Sequence, residues 1–110
     1  MISVVKRGEI YFCQFPYSDK EKFKKRPVLV LTSSDNYGDF LCVKITATYK
    51  ECPVCIPITE KSLQTGSLSY PSIVVCDKIT SLNEKLIGQK IAEVNDELME
   101  NVVSIIKQLF

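Results

Sequence analysis

Lys24-Lys25-Arg26-Pro27-Val28-Leu29-Val30-Leu31 sets three cations and a proline against an apolar run without alternation. Pro27 has no backbone N–H to give to a ladder, so it belongs at the first residue of a strand or on an edge. A proline also pushes the residue before it, here Arg26, toward an extended backbone. The apolar run reads as a strand over residues 27–32, central or buried on both faces. An always-charged guanidinium at the start of a core-anchored strand is a rigid grip for a phosphate. That points to a nucleotide or a nucleic acid.

Outward from this strand the chain is a series of short β-type runs. Residues 8–15 alternate, with Ile10, Phe12 and Gln14 against Tyr11, Cys13 and Phe15. Pro16 opens a polar loop, and residues 33–39 are rich in turn formers. Residues 40–48 read as a third strand, with Leu41, Val43 and Ile45 alternating against Cys42, Lys44 and Thr46. Pro57 marks residues 54–58 as an edge strand. Residues 60–70 read as a loop containing Gly66, 72–79 as a strong strand, and 86–92 as a short one around Gly88. Asn95 is a helix N-cap, followed by Asp96, Glu97 and Glu100 near the positive end of the dipole. Leu98, Met99, Val102, Val103, Ile105, Ile106, Leu109 and Phe110 recur at helical spacing. Fifteen residues of helix span about 22 Å. The expected fold is mainly β with a C-terminal α-helix, a small open barrel or sandwich closed by that helix, in one domain over residues 1–110.

The 110 residues are 45% hydrophobic and 25% charged, with a formal net charge of +1. A general polyanion binder is usually more basic, so any nucleic-acid contact must be local. The charge is uneven: Lys20, Lys22, Lys24, Lys25 and Arg26 face Glu21 alone, and the acidic Glu93, Asp96, Glu97 and Glu100 come late. The chain has no histidine, which removes the commonest general base and metal ligand. Its four glycines stand singly, so no phosphate-cradling loop is present. Residues 1–5 are too short an apolar stretch for a signal peptide, and no run is long enough to cross a bilayer. A cytoplasmic protein with reduced thiols is expected from this and from the odd count of five cysteines. Cys42 and Cys76 sit in apolar runs and read as small hydrophobes. Cys52-Pro53-Val54-Cys55 has metal-ligand spacing, but no second pair or histidine completes a site. The pair is read as free thiols on a β-turn.

In order, several segments resemble the PemK/MazF toxin family. Lys6-Arg7-Gly8-Glu9-Ile10-Tyr11-Phe12 is similar to its opening strand, and Lys25-Arg26-Pro27-Val28-Leu29-Val30-Leu31 to its Arg-Pro-Val-Leu-Val strand. Val43-Lys44-Ile45-Thr46-Ala47 is similar to its hydrophobic-Thr-Ser/Ala strand end. Gly66-Ser67-Leu68, then residues 71–82, then 86–91 and the terminal helix follow in the family's order. The resemblance implies an SH3-like barrel, a homodimer, and a cognate antitoxin that blocks the RNA groove. It also implies cleavage of single-stranded RNA at short sequences without a metal or other cofactor. The ribose 2′-OH attacks the adjacent phosphorus and leaves a 2′,3′-cyclic phosphate and a 5′-OH. By the same resemblance Arg26 and Thr46 are catalytic, and Ser18, Lys24, Lys25, Thr48, Asp77 and Lys78 contact RNA.

Read without the family, each of these residues has a plainer role. Arg26 is then a surface ion-pair partner, Thr46 a strand former, the loop lysines solvated, and Asp77–Lys78 a strand-end ion pair. Tyr17 and Phe23 either stack on bases or pack the loop. The loop before Lys25 lacks the Gly-rich sequence of the best-known members, and Lys44 stands where many relatives carry proline or a small residue. The second function class is a module of the same fold that cuts nothing, inactive or acting on a protein target as gyrase-poisoning toxins do. Direct RNA cleavage separates the two.

Overall fold

The computed structural model describes residues 5–15, 24–47, 52–69 and 71–110. Among them the strands are β1 (Glu9–Phe15), β2 (Lys24–Val30), β3 (Asp39–Thr46), β4 (Cys55–Ile58), β5 (Leu63–Gly66), β6 (Ser72–Asn83) and β7 (Ile87–Val94). They form one antiparallel sheet in the order β4-β6-β3-β2-β1-β7-β5. The helix α1 (Asp96–Gln108) follows. The extents of 34 × 32 × 31 Å are nearly equal, so the sheet is curled, not flat. This is the mainly β, barrel-like architecture with a terminal helix that the sequence implies. No helix among the described residues is long and apolar enough to cross a membrane.

The doubly apolar run of β2 is explained by a core on each face of the sheet. Ile10, Leu29 and Val43 lie opposite one another across β1, β2 and β3. They join Ile45, Val74, Ala92 and Val94 beneath Leu98, Met99 and Val102 of α1. Their neighbours along the strands, Tyr11, Val28, Val30 and Cys42, point the other way and pack with Val5, Cys13, Phe40 and Leu82. Each fully buried side chain of this size contributes about 1.5–3 kcal/mol.

Asn95 caps α1 as expected: its Oδ1 accepts from the Leu98 amide at 2.9 Å. Its Nδ2 donates to the Lys61 carbonyl at 2.8 Å, tying the cap to the turn before β5. The apolar stripe fades along the helix. Leu98, Met99 and Val102 are buried, whereas Leu109 is exposed and Phe110 is 97% exposed.

Three sequence expectations are corrected. Residues 60–70 are not all loop: a 3-10 turn at Glu60–Ser62 leads into β5, which pairs with β7. This edge strand is short and mostly solvent-facing, so it has no apolar pattern to reveal it. Cys52 and Cys55 are not free thiols but a disulfide. The turn brings their Cα atoms to 5.3 Å, within the span a disulfide requires. Finally, β2 begins at Lys24, so Pro27 lies inside it and not at its first residue. The edge reading of Pro27 holds locally. Among the described residues, 24–27 pair with β1 alone, and the β3 ladder starts at Val28.

Candidate active site

That staggered ladder creates the site. Val28 pairs with Lys44; Arg26 and Thr46 stand two residues beyond that last pair, each on its own strand. Without the Pro27 N–H, β2 and β3 part at this point, and a cleft opens between them. Arg26 is backed by Cys13 on β1 and anchored by the buried run that follows it.

A second irregularity completes the cleft. On β6, Ile79 pairs with Val43 but Val75 pairs with Lys44. Cys76, Asp77 and Lys78 are therefore left without register partners on β3. Such a bulge re-aims side chains. Cys76 turns into the core while Asp77 and Lys78 are exposed.

Arg26 and Thr46 line two adjoining cavities. One, of about 310 Å³, is walled by Phe12, Pro27, Ile45, Leu68 and Ile91, with Lys25, Ser69 and Ser72 as polar members. The other, of about 480 Å³, holds Lys44, Asp77, Lys78 and the Cys52–Cys55 disulfide. Its ionised side chains among the described residues are three cations and one carboxylate, so their charge suits an anion although the whole chain carries only +1. Neither Arg26 nor Lys78 has an ion-pair partner among the described residues. An ion pair between Lys90 Nζ and Glu9 Oε2 at 2.8 Å belongs to the scaffold. Among the described residues no three His, Cys, Asp or Glu side chains gather as metal ligands.

The structure thus brings together Arg26, Thr46, Lys25, Asp77 and Lys78. Lys24 starts β2 opposite Phe15. Ser18, Thr48, Tyr17 and Phe23 lie outside the described residues. Sequence reasoning missed Lys44, Ser69 and Ser72 as cleft residues. For Ser72 the signal was present: a serine at a strand start, two residues before the core valine Val74.

On β1, Glu9 is buried and accepts from the Lys6 amide at 2.7 Å and from the Tyr11 hydroxyl at 3.1 Å. Burial pushes the Glu9 carboxyl up, but the bonds from Lys90, Lys6 and Tyr11 outweigh it and hold it below the ordinary value. Burial, and then Glu9, push the Tyr11 hydroxyl up to about 12. Burial likewise raises the thiols of Cys13 and Cys76 to about 11 and of Cys42 to about 12.

The fold recurs in solved structures. MazF from Deinococcus radiodurans superposes with a TM-score of 0.75 at 21% identity, covering 98% of this chain and 97% of that one. An endoribonuclease bound to its cognate antitoxin, from a mycobacterial species, gives 0.69 at 21% identity over 96% and 93%. The Mycobacterium tuberculosis toxin MazF-mt6 gives 0.71 at 21% identity over 91% and 93%. No curated protein matches the sequence. The family model of the PemK-like, MazF-like toxins matches residues 6–110. The chain belongs to that family, the toxins of type II toxin–antitoxin systems.

Proposed function

We propose that the protein is an endoribonuclease toxin that cuts single-stranded RNA at the Arg26–Thr46 pair without a metal ion. One observation carries the reading: Arg26 on β2 and Thr46 on β3 each lie two residues past the last paired positions of these strands, and both line the same two cavities. The scissile phosphate sits between them. The O2′–P bond forms and the O2′ proton is lost as the P–O5′ bond breaks and O5′ takes up a proton, leaving a 2′,3′-cyclic phosphate and a 5′-OH. Arg26 offsets the charge gathering on the phosphoryl oxygens and lies on the side of the leaving oxygen. Thr46 hydrogen-bonds the phosphate and holds it in line. Lys25, Lys44 and Lys78 attract the neighbouring phosphates, and Asp77 meets a base or sugar edge.

The partners are the RNA, a cognate antitoxin covering the groove, and a second copy of the chain. The antitoxin is supported by the bound one in the mycobacterial relative. The test is purified protein with a long RNA in EDTA, with cut ends mapped. Wild type is expected to leave cyclic phosphates. Arg26→Ala is expected to cut about 10²–10³-fold more slowly with an unchanged circular dichroism spectrum. A wild type that cuts no RNA in EDTA overturns the reading and favours the protein-targeting module.

A further inference from the structure

The Cys52–Cys55 disulfide lies in the wall of the cavity that also holds Arg26, Thr46, Lys44, Asp77 and Lys78. Both cysteines are half-exposed, whereas Cys13, Cys42 and Cys76 are buried. Burial keeps those three protonated far above neutrality, so they are inert toward exchange. We propose that Cys52–Cys55 is a reversible thiol–disulfide exchange site that sets the charge of the cleft, and that its oxidised form is the faster RNA-cutting state. The second half of this rests on the nuclease reading above.

The chemistry is exchange with a dithiol. A thiolate of the dithiol attacks one sulfur of the pair, the Sγ–Sγ bond breaks, and a mixed disulfide forms. The second thiolate of the dithiol then attacks that bond and leaves as its own disulfide. Two electrons, and two protons when both products are neutral, have passed to Cys52 and Cys55.

Reduction changes the charge of the wall more than its shape. The turn is also held by the Cys55 amide donating to the Cys52 carbonyl at 3.2 Å, and by the Cys76 amide donating to the Val54 carbonyl at 2.9 Å. Neither bond uses a cysteine sulfur. Among the described residues, the charged groups lining the cavity are Arg26 from β2, Lys44 from β3, and Asp77 and Lys78 from β6. Three cations against one carboxylate favour the thiolate over the thiol. A thiolate here competes with the RNA phosphate for the same cations. The disulfide is neutral and does not.

The experiment uses the whole chain. Wild type is equilibrated in oxidised and reduced dithiothreitol mixtures, natively alkylated, and weighed with peptide mapping. The expected result is two alkylated thiols, both on the 52–55 peptide, appearing together as the mixture becomes reducing. A pair that stays alkylatable in every mixture, or never becomes so, overturns the exchange site. The same samples are then assayed on RNA. Oxidised protein is expected to cut at least about fivefold faster than reduced protein. The gap should widen with rising pH as the reduced thiols ionise. The unbridged, neutral Cys52→Ser/Cys55→Ser protein should cut at the oxidised rate in every mixture. Equal rates for the two wild-type forms overturn the charge coupling, as does a serine variant as slow as the reduced form. If no sample cuts RNA while the pair still exchanges, the nuclease reading fails and the exchange site stands.

Discussion

Arg26 keeps its guanidinium free of a carboxylate among the described residues even though Asp77 lines the same cavity. A planar fork also differs from a point charge. Arg26→Lys should therefore recover only part of the rate lost in Arg26→Ala, with RNA affinity nearly restored. Full recovery of kcat by lysine would show that charge alone suffices. Thr46 separates by its hydroxyl. Thr46→Val keeps the shape and loses the hydrogen bond to the phosphate, about 1.5–3 kcal/mol when the partner is charged. The expected outcome is kcat lower by about tenfold or more, with Thr46→Ser restoring most of it and all three proteins melting within a few degrees. These two residues were legible because their order along the chain is a family pattern. Lys44 was not, because its position looked like a departure and only the unpaired stretch of β6 opens space beside it.

At the scale of elements, two irregularities make the cleft. One is the parting of β2 from β3 at Pro27, and the other is the bulge at Cys76, Asp77 and Lys78. The first could be anticipated from the proline. The second could not, since residues 72–79 read as one strong strand and a bulge depends on the partner's register. If Lys78 meets a phosphate, Lys78→Ala should weaken RNA binding for every sequence alike. The slope of log affinity against log salt should fall by about 0.7, the single-strand value for one contact. An unchanged slope would move Lys78 out of the interface. The edge strand β5 carries the other test. Gly66 has φ +79°, and a Cβ there would run into the Ile91 carbonyl oxygen and Ala92 Cα. This glycine read as a loop residue, yet its lack of a side chain is what lets β5 close on β7, next to Leu68 and Ser69 of the cleft. Gly66→Ala should cost about 1–3 kcal/mol in urea unfolding, while Gly88→Ala, at ordinary backbone angles, should cost less.

For the whole molecule, one buried carboxylate joins distant parts of the curled sheet. Glu9 on β1 holds the Lys6 amide ahead of the strand, the Tyr11 hydroxyl, and Lys90 on β7. In the sequence Glu9 looked only like part of an opening motif, because its partner lies 81 positions away and becomes adjacent through the β1–β7 register. Its carboxyl is held below the ordinary 4.5. The unfolded chain therefore binds the proton first as pH falls, and the stabilisation from Glu9 is complete above that ordinary value. It is lost as pH drops through the lowered folded value. Lys90 is shifted up from 10.5, first by its hydrogen bond to Glu9. Its contribution is complete below 10.5 and is lost only as pH rises through the raised folded value. Between these limits the ion pair is intact. Glu9→Gln keeps the size but breaks the charged bonds, which should cost about 1–3 kcal/mol at pH 7. Urea unfolding of wild type and variant across pH should show that difference flat through neutrality and closing on the acid side, below the ordinary carboxylate range. A difference that persists unchanged into strong acid would mean that Glu9 stabilises the fold by packing rather than by its charge.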